Sequence, residues 1–437
     1  MNDISTTADA IVIGAGIVGA AVAYELARGG RDVVIVDRQP GPGLGSTSAS
    51  SAIVRFHYST FEGIATSWEA KFGWESWPEY LGLSSADGTA RYHRTGALNL
   101  DFPDFDTNKV EALFEQVGVP YERLTAAEVV SRFAALDTGS YYPPKRLDDE
   151  AFWGEASSQL GALFTPDGGF VDDACLAARN LLDAAVRHGA RPAWRRTVTE
   201  VVAHAGRVAG VQLDDGTRLS APVVVNCAGP HSGVINRLAG VLDDFRVTTR
   251  PLRQEVHQVV PAPDNFLMRA GAPVTFDGDL GTYFRPEAGA SILVGGMEPA
   301  CDPLHWLDDP DDTDISVTVE GYDANTVRLA RRMPELTLPN RPKGVVGVYD
   351  TSTDWIPIYD RTSLDGFYVA IGTSGNQFKN APVIGQLLVH LIGATESGQD
   401  HDHEPVTWRA PYTVHDINLG HYSRLRTAHE SSASVLG

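Results

Sequence analysis

The sequence predicts an α/β protein in which a nucleotide-binding domain is interleaved with a second domain inserted in pieces. Three observations lead there. An apolar strand, a glycine-rich turn and a helix open the chain. A solid apolar strand ending in VVVNCAGP stands mid-chain, and a third such strand runs into a glycine-bearing loop and an apolar helix near the other end. The intervening stretches, about 75 to 155 and 240 to 340, are richer in Trp, Tyr, Pro and strand-like runs such as YFRPEAGASILVGGM.

With 437 residues and 43% apolar side chains, the chain can bury a large core, and its length suits two or three globular units. Its 35 Lys and Arg against 56 Asp and Glu leave a net charge of −21, which argues against nucleic acid or an anionic membrane surface as partner. Cys175, Cys227 and Cys301 lie far apart with no CxxC spacing, so neither a disulfide framework nor a zinc site is expected. The compartment is read as reducing and cytoplasmic. The N-terminus lacks the basic region of a signal peptide, and no stretch reaches the roughly 18 apolar residues of a membrane-spanning helix.

The first element is DAIVIGAGIVGAAVAYELARGGRDVVIVDR, read as strand, tight turn, helix and second strand. Gly14, Gly16 and Gly19 fit GxGxxG: the first permits the turn, the second lets a pyrophosphate approach the backbone, and the third lets helix pack closely on strand. The helix N-terminus, with Ile17 and Val18, offers free N–H groups and a favourable dipole to phosphate. Asp37 closes the second strand about 20 residues on, where a carboxylate can accept from both hydroxyls of an adenosine ribose. The motif does not itself separate NAD from FAD.

Two further segments bear on that choice. GPGLGSTSASSA, residues 41–52, includes Gly45, Ser46, Thr47, Ser50 and Ser51, whose N–H and hydroxyl groups can line a diphosphate or a flavin edge. GFYVAIGTSGNQFKNAPVIGQLLVHLI would aim a second helix N-terminus into the same crevice. Between them, Asp172 and Asp173 before an apolar period and Gly189 after it predict a helix from about 173 to 188. The stretch after it alternates through two turns and is read as further nucleotide-binding domain. DDPDDTD at 308–314 is expected to be a solvated loop. The tail, 401–437, holds several histidines without metal-ligand spacing and is expected to pack on the surface.

In order along the chain, IVIGAGIVGAAVAYELARGG…VVIVDR, GSTSASSAIVRFHY, VVVNCAGPHS, YFRPEAGASILVGG and GTSGNQFKNAPVIG resemble the D-amino acid oxidase superfamily of flavoproteins. The resemblance runs nearly end to end and is strongest to the sarcosine oxidase (including its β-subunit type), glycine oxidase and dimethylglycine dehydrogenase branch. It implies an α/β FAD-binding domain of the Rossmann-like, glutathione reductase type, over 1–75, 155–240 and 340–400. Interleaved with it would be an α+β substrate domain over 76–154 and 241–339, whose antiparallel sheet roofs the flavin.

Carried residue by residue, the resemblance places Gly14, Gly16, Gly19, Asp37, Arg38, Ser46 and Thr47 against FAD, with Val198 presenting backbone to adenine. Ala228 and Gly229 would pass close to the cofactor, and Gly375, Asn376, Gln377, Phe378 and Lys379 would line the isoalloxazine. Arg55 and Lys379 stand where sarcosine oxidases clamp a substrate carboxylate from two sides. Ser48 and Tyr349 stand where relatives carry covalent flavin attachments, so FAD is expected to be held noncovalently. An arginine that glycine oxidases use is also missing near Tyr349, which disfavours free glycine, and Leu293 replaces an oxygen-activating lysine. The acceptor is oxygen or an electron-transfer protein.

The chemistry so implied is oxidation of the C–N bond of an N-methylated or other secondary amino acid, by hydride transfer from the α C–H to flavin and hydrolysis of the imine. An arginine fork and a lysine point charge suit a carboxylate, while Arg55 has a rival role in a structural ion pair. His57 is a candidate base, or else a packed neighbour of Tyr58; Tyr283 and Tyr349 are candidate roof residues, or else core. The alternatives are a flavoprotein subunit, a non-catalytic FAD-binding scaffold, or a D-amino acid dehydrogenase.

Overall fold

In a computed structural model, which describes residues 6–429, the opening strand β1 (Ala10–Ile13) is buried along its whole length. It pairs in parallel with β2 (Val33–Asp37) on one side and with Val223–Asn226 on the other. Strands buried on both faces need apolar residues at every position, which is why AIVI and VVVN do not alternate. The six-stranded sheet runs 358–361, 367–371, 223–226, 10–13, 33–37 and 191–194, with only the first strand antiparallel to its neighbour.

The two faces of this sheet are covered differently. Ala10 and Val12 face helices, chiefly α1 (Ile17–Arg28), Ala174–Arg187 and Ala381–Glu396. Ile11 and Ile13 face the three-stranded sheet 198–204, 207–213 and 218–220 through Val201, Val208 and Val211. The helix expected over about 173–188 spans Ala174–Arg187, and the Asp173 carboxylate caps it by accepting from the Leu176 N–H at 2.8 Å.

The second sheet has nine strands and is almost wholly antiparallel. Its long strand Thr249–Val259 pairs with Ile292–Gly296 and with Gly344–Ser352 over a nine-residue register. YFRPEAGASILVGG forms the adjoining hairpin, Thr282–Pro286 against Ile292–Gly296. Two of its strands, Ala162–Thr165 and Gly344–Ser352, fall in segments (155–240 and 340–400) expected to belong to the FAD-binding domain. The boundaries therefore move. Each of these strands pairs with a partner far away in sequence, which local pattern does not reveal.

The tail departs from expectation too. Residues 401–429 are not merely laid on the surface: Tyr412 and Val414 are exposed, but Val406, Trp408, Ile417, Leu419 and Tyr422 are buried, and residues 430–437 lie outside the described chain. A short hairpin, Thr407–Arg409 with Asp416–Asn418, is held to α2 (Phe61–Glu75) by Glu69, which accepts from the Tyr412 and Thr413 N–H groups at 2.9 and 2.8 Å. Arg424 then pairs with Asp360 at 3.1 Å and Asp402 at 2.7 Å, and Arg426 with Asp354 at 2.7 Å. Among the described residues, no helix is long and apolar enough to cross a membrane.

Asp354 is fully buried, so Arg426→Ala leaves a carboxylate in the interior without its cation. That is expected to cost about 3–5 kcal/mol, read as a lowered urea midpoint with unchanged slope.

Candidate active site

A cleft of about 890 Å³ runs between the two sheets. One end is built by the turn after β1. Gly14 has φ +100°, and a Cβ there would stand 2.4 Å from the Cys227 carbonyl oxygen, so only glycine lets the mid-chain strand end pass this close. Gly19 has no place on the cleft wall. A Cβ there would meet the Gly14 carbonyl at 1.8 Å, so its job is to let α1 lie on the turn.

Gly16 caps α1 without a side-chain hydrogen bond, and the helix N-terminus opens into the cleft through Ile17 and Val18. The Thr47 hydroxyl accepts from the Ile17 N–H at 3.0 Å, tying the serine-rich turn Ser46–Ala49 to the helix start. Asp37 accepts from the Ala15 and Gln39 N–H groups at 2.6 and 2.7 Å, which fixes its carboxylate at the cleft rim. Arg38, Gly45, Ser46, Ser50, Ser51, Val198, Ala228 and Gly229 all line the same space. Glycine cradle, a helix N-terminus whose Ncap residue carries no side chain, and rim carboxylate together fit a dinucleotide with its diphosphate on α1.

The other part of the wall comes from both ends of the chain. After β3 (Ile53–Val54), which pairs with Gly169–Val171, the backbone leaves extended pairing and delivers Arg55, 3% exposed, to the cleft. The loop after Phe367–Ile371 brings Gly375, Asn376, Gln377, Phe378 and Lys379. Gly375 has φ +68°, and a Cβ would meet the Tyr349 ring at 2.3 Å. The loop is braced from below: Phe378 stacks on Trp74 at 5.5 Å, the Trp74 indole donates to the Lys379 carbonyl at 2.6 Å, and Tyr359 donates to Gln377 at 2.9 Å.

Arg55 and Lys379 share one ring. The guanidinium lies 4.6 Å and the ammonium 4.9 Å from the Tyr58 centroid, while Arg55 donates to the His57 carbonyl and Lys379 to that of Asn376. Burial lowers the pKa of Arg55; burial, with the Arg55 charge second, holds that of Lys379 well below its ordinary value. Tyr58, whose phenol donates to the Asn376 carbonyl at 3.0 Å, is pushed up to about 12 by burial. Sequence reading gave it no role beyond packing, yet it is the shared platform of both cations.

The roof carries Gln254, Val256, Phe276, Tyr283 and Tyr349. Tyr283 and Ser51 hydroxyls lie 2.9 Å apart, joining the roof to the serine-rich segment. Leu293 does not line the cleft. His57 does not either: its ring sits among Phe105, Phe114 and Phe276, both ring nitrogens are buried without a hydrogen-bond partner among the described residues, and burial, then Arg55 and Lys379, lower its pKa to about 3. It is a neutral packing residue and a poor base.

Asp350, which sequence reading passed over, lines the cleft beside Tyr349 and is 2% exposed. Its carboxylate accepts from the Gly372 N–H at 2.7 Å, and burial raises its pKa from 3.8 to about 7. An acid in a strand carries no sequence signal that separates it from a surface residue.

The chain matches the FAD dependent oxidoreductase family over residues 9–391. It belongs to that family. The protein is therefore an FAD-dependent oxidoreductase, and the superfamily resemblance read from its motifs holds. It is 28% identical over 325 residues to a D-amino acid dehydrogenase of Rhizobium johnstonii, covering 66% of this chain and 75% of that protein. It is 25% identical over 407 residues to mouse mitochondrial sarcosine dehydrogenase, covering 89% of this chain but 40% of that protein. Among solved structures, L-proline dehydrogenase from P. horikoshii shares the fold at a TM-score of 0.73 and 20% identity, over 91% of this chain and 96% of that one. Glycine oxidase from Geobacillus kaustophilus does so at 0.70 and 20%, over 91% and 97%.

A carboxyl whose pKa is raised by folding binds more protons folded than unfolded between pH 4 and 7, so its contribution to stability is full below about pH 4 and falls as pH rises through 7. Asp350→Asn should remove that fall: the urea midpoint of the variant relative to wild type is expected to rise steadily from pH 4.5 to 7.5.

Proposed function

We propose that this flavoenzyme oxidises the C–N bond of a carboxylate-bearing amine, an N-methylated or other secondary amino acid, with noncovalently held FAD. The observation that carries this reading is the pair Arg55 and Lys379, two cations on the cleft wall over one tyrosine ring. A carboxylate meeting them gains a fork and a point charge at once, and two charge-assisted contacts fix its orientation.

FAD, when bound, would supply the two-electron acceptor for a hydride from the carbon beside nitrogen, and the imine product would be hydrolysed by water. The chain's own work is positioning. Tyr58 and the Asn376 carbonyl hold Lys379, the Tyr283–Ser51 contact holds the roof, and Phe276 gives the substrate an apolar neighbour. Burial, with the Arg55 charge second, depresses the Lys379 pKa, and a carboxylate beside it raises it again, so binding strengthens as pH falls. With His57 off the cleft, the substrate amine loses its proton to another acceptor, water being the simplest.

The relatives named D-amino acid dehydrogenases support a second substrate class on the same two cations, primary D-amino acids. Anaerobic bleaching of the flavin by sarcosine, dimethylglycine, proline and D-alanine separates the two. Arg55→Ala and Lys379→Met should each raise the apparent dissociation constant of the bleaching amino acid by about 10²-fold, roughly 3 kcal/mol for a charge-assisted contact, with FAD retained. Bleaching by no carboxylated amine would mark a non-catalytic flavoprotein instead.

A further inference from the structure

The run DDPDDTD does not behave as a free acidic loop. Residues 307–317 leave the nine-stranded sheet after His305–Trp306 and return at Thr318, the cap of the helix Val319–Arg332. Both feet stand on the strand Thr249–Val259. The Leu307 N–H donates to the Pro251 carbonyl at 3.0 Å, and Arg253 donates to the Asp314 and Ser316 carbonyls at 3.2 and 2.8 Å. Its tip crosses to the other domain. Arg38, next to the rim carboxylate Asp37, donates to both oxygens of Asp311 at 2.8 and 2.6 Å, and His231 lies 3.1 Å from the same carboxylate.

Three features aim this segment at the dinucleotide rather than at solvent. Asp309, Pro310, Asp311, Thr313 and Ile315 line the cleft that contains the GxGxxG turn. The Thr313 hydroxyl is buried without a hydrogen-bond partner among the described residues. Ile315 is 82% exposed, and Leu44 and Val234, at 46% and 42%, line the cleft as well. A single exposed apolar side chain is ordinary, but three lining one cleft offer a surface that a ligand covers.

We propose that residues 309–315 are an FAD-holding strap contributed by the second domain, closed by the grip of Arg38 and His231 on Asp311. The charge balance favours closure. An anionic dinucleotide in the same cleft as an acidic segment is repelled less when a carboxylate of that segment is already paired, and a bidentate arginine pairs Asp311 in fixed geometry. His231, whose pKa is lowered by burial and by Arg38, donates as a neutral imidazole. The proposal rests on membership of the FAD family and not on the substrate reading.

The test is the rate at which FAD leaves the purified holoprotein, followed by recovery of flavin fluorescence on dilution into an apoflavoprotein trap. Asp311→Asn keeps the shape and loses the charge. It should speed release by about three- to tenfold, the scale of a bidentate pair at a partly exposed site, and should flatten the rise in wild-type release between 20 and 500 mM salt. Ile315→Ser, which touches no ion pair, should also speed release. Neither variant should shift the melting temperature of the FAD-free chain by more than a degree or two. Unchanged release in both variants would overturn the strap. Slower release in Asp311→Asn would overturn it in the other direction, because Asp311 would then be competing with the diphosphate for Arg38.

Discussion

Two positive charges placed together in the interior are the constraint around which this protein is arranged. Arg55 and Lys379 are 3% and 2% exposed, and they are held over the same Tyr58 ring by aromatic faces and backbone carbonyls. Burial pushes the pKa of each down, and at Lys379 the Arg55 charge adds to it. An anion that enters relieves both at once. The loop that carries Lys379 is braced from below by Trp74, Tyr359 and Phe378.

That arrangement needs two domains. The parallel sheet ends its strands at the dinucleotide turn, while the antiparallel sheet closes the space above with Gln254, Phe276, Tyr283 and Tyr349. The link between them is repeated at several heights. Ser46 donates to the Val348 carbonyl at 2.6 Å, Ser51 meets Tyr283, and Arg38 meets Asp311. A chain that crosses between the sheets many times cannot separate them without breaking these contacts, so cleft shape and cofactor position are set together.

Much of this was legible in the residues. The glycine turn, the rim carboxylate, the serine-rich segment and the 375–379 loop are local patterns, and local patterns survive folding. What was not legible depends on contacts between distant segments. DDPDDTD reads as solvated and its aspartates are exposed, but the pairing of one of them, Asp311, with Arg38 shows in no local pattern because the two lie 273 residues apart. The tail reads as surface because its histidines lack metal-ligand spacing and no motif ties it down, yet Arg424 and Arg426 meet Asp360 and Asp354 in the interior. His57 reads as a candidate base two residues from Arg55, but β3 ends at Val54 and the imidazole packs among Phe105, Phe114 and Phe276. Asp350 is set apart only by burial, which sequence does not display.

The most direct measurement is equilibrium binding of propanoate, against propanamide of the same shape, to the oxidised holoprotein, read as a shift of the flavin absorption bands. If the two cations form a carboxylate site, propanoate gives a saturable spectral change that tightens as pH falls, and propanamide gives none at the same concentrations. Equal responses to acid and amide, or binding of the acid that is indifferent to pH, would contradict the account.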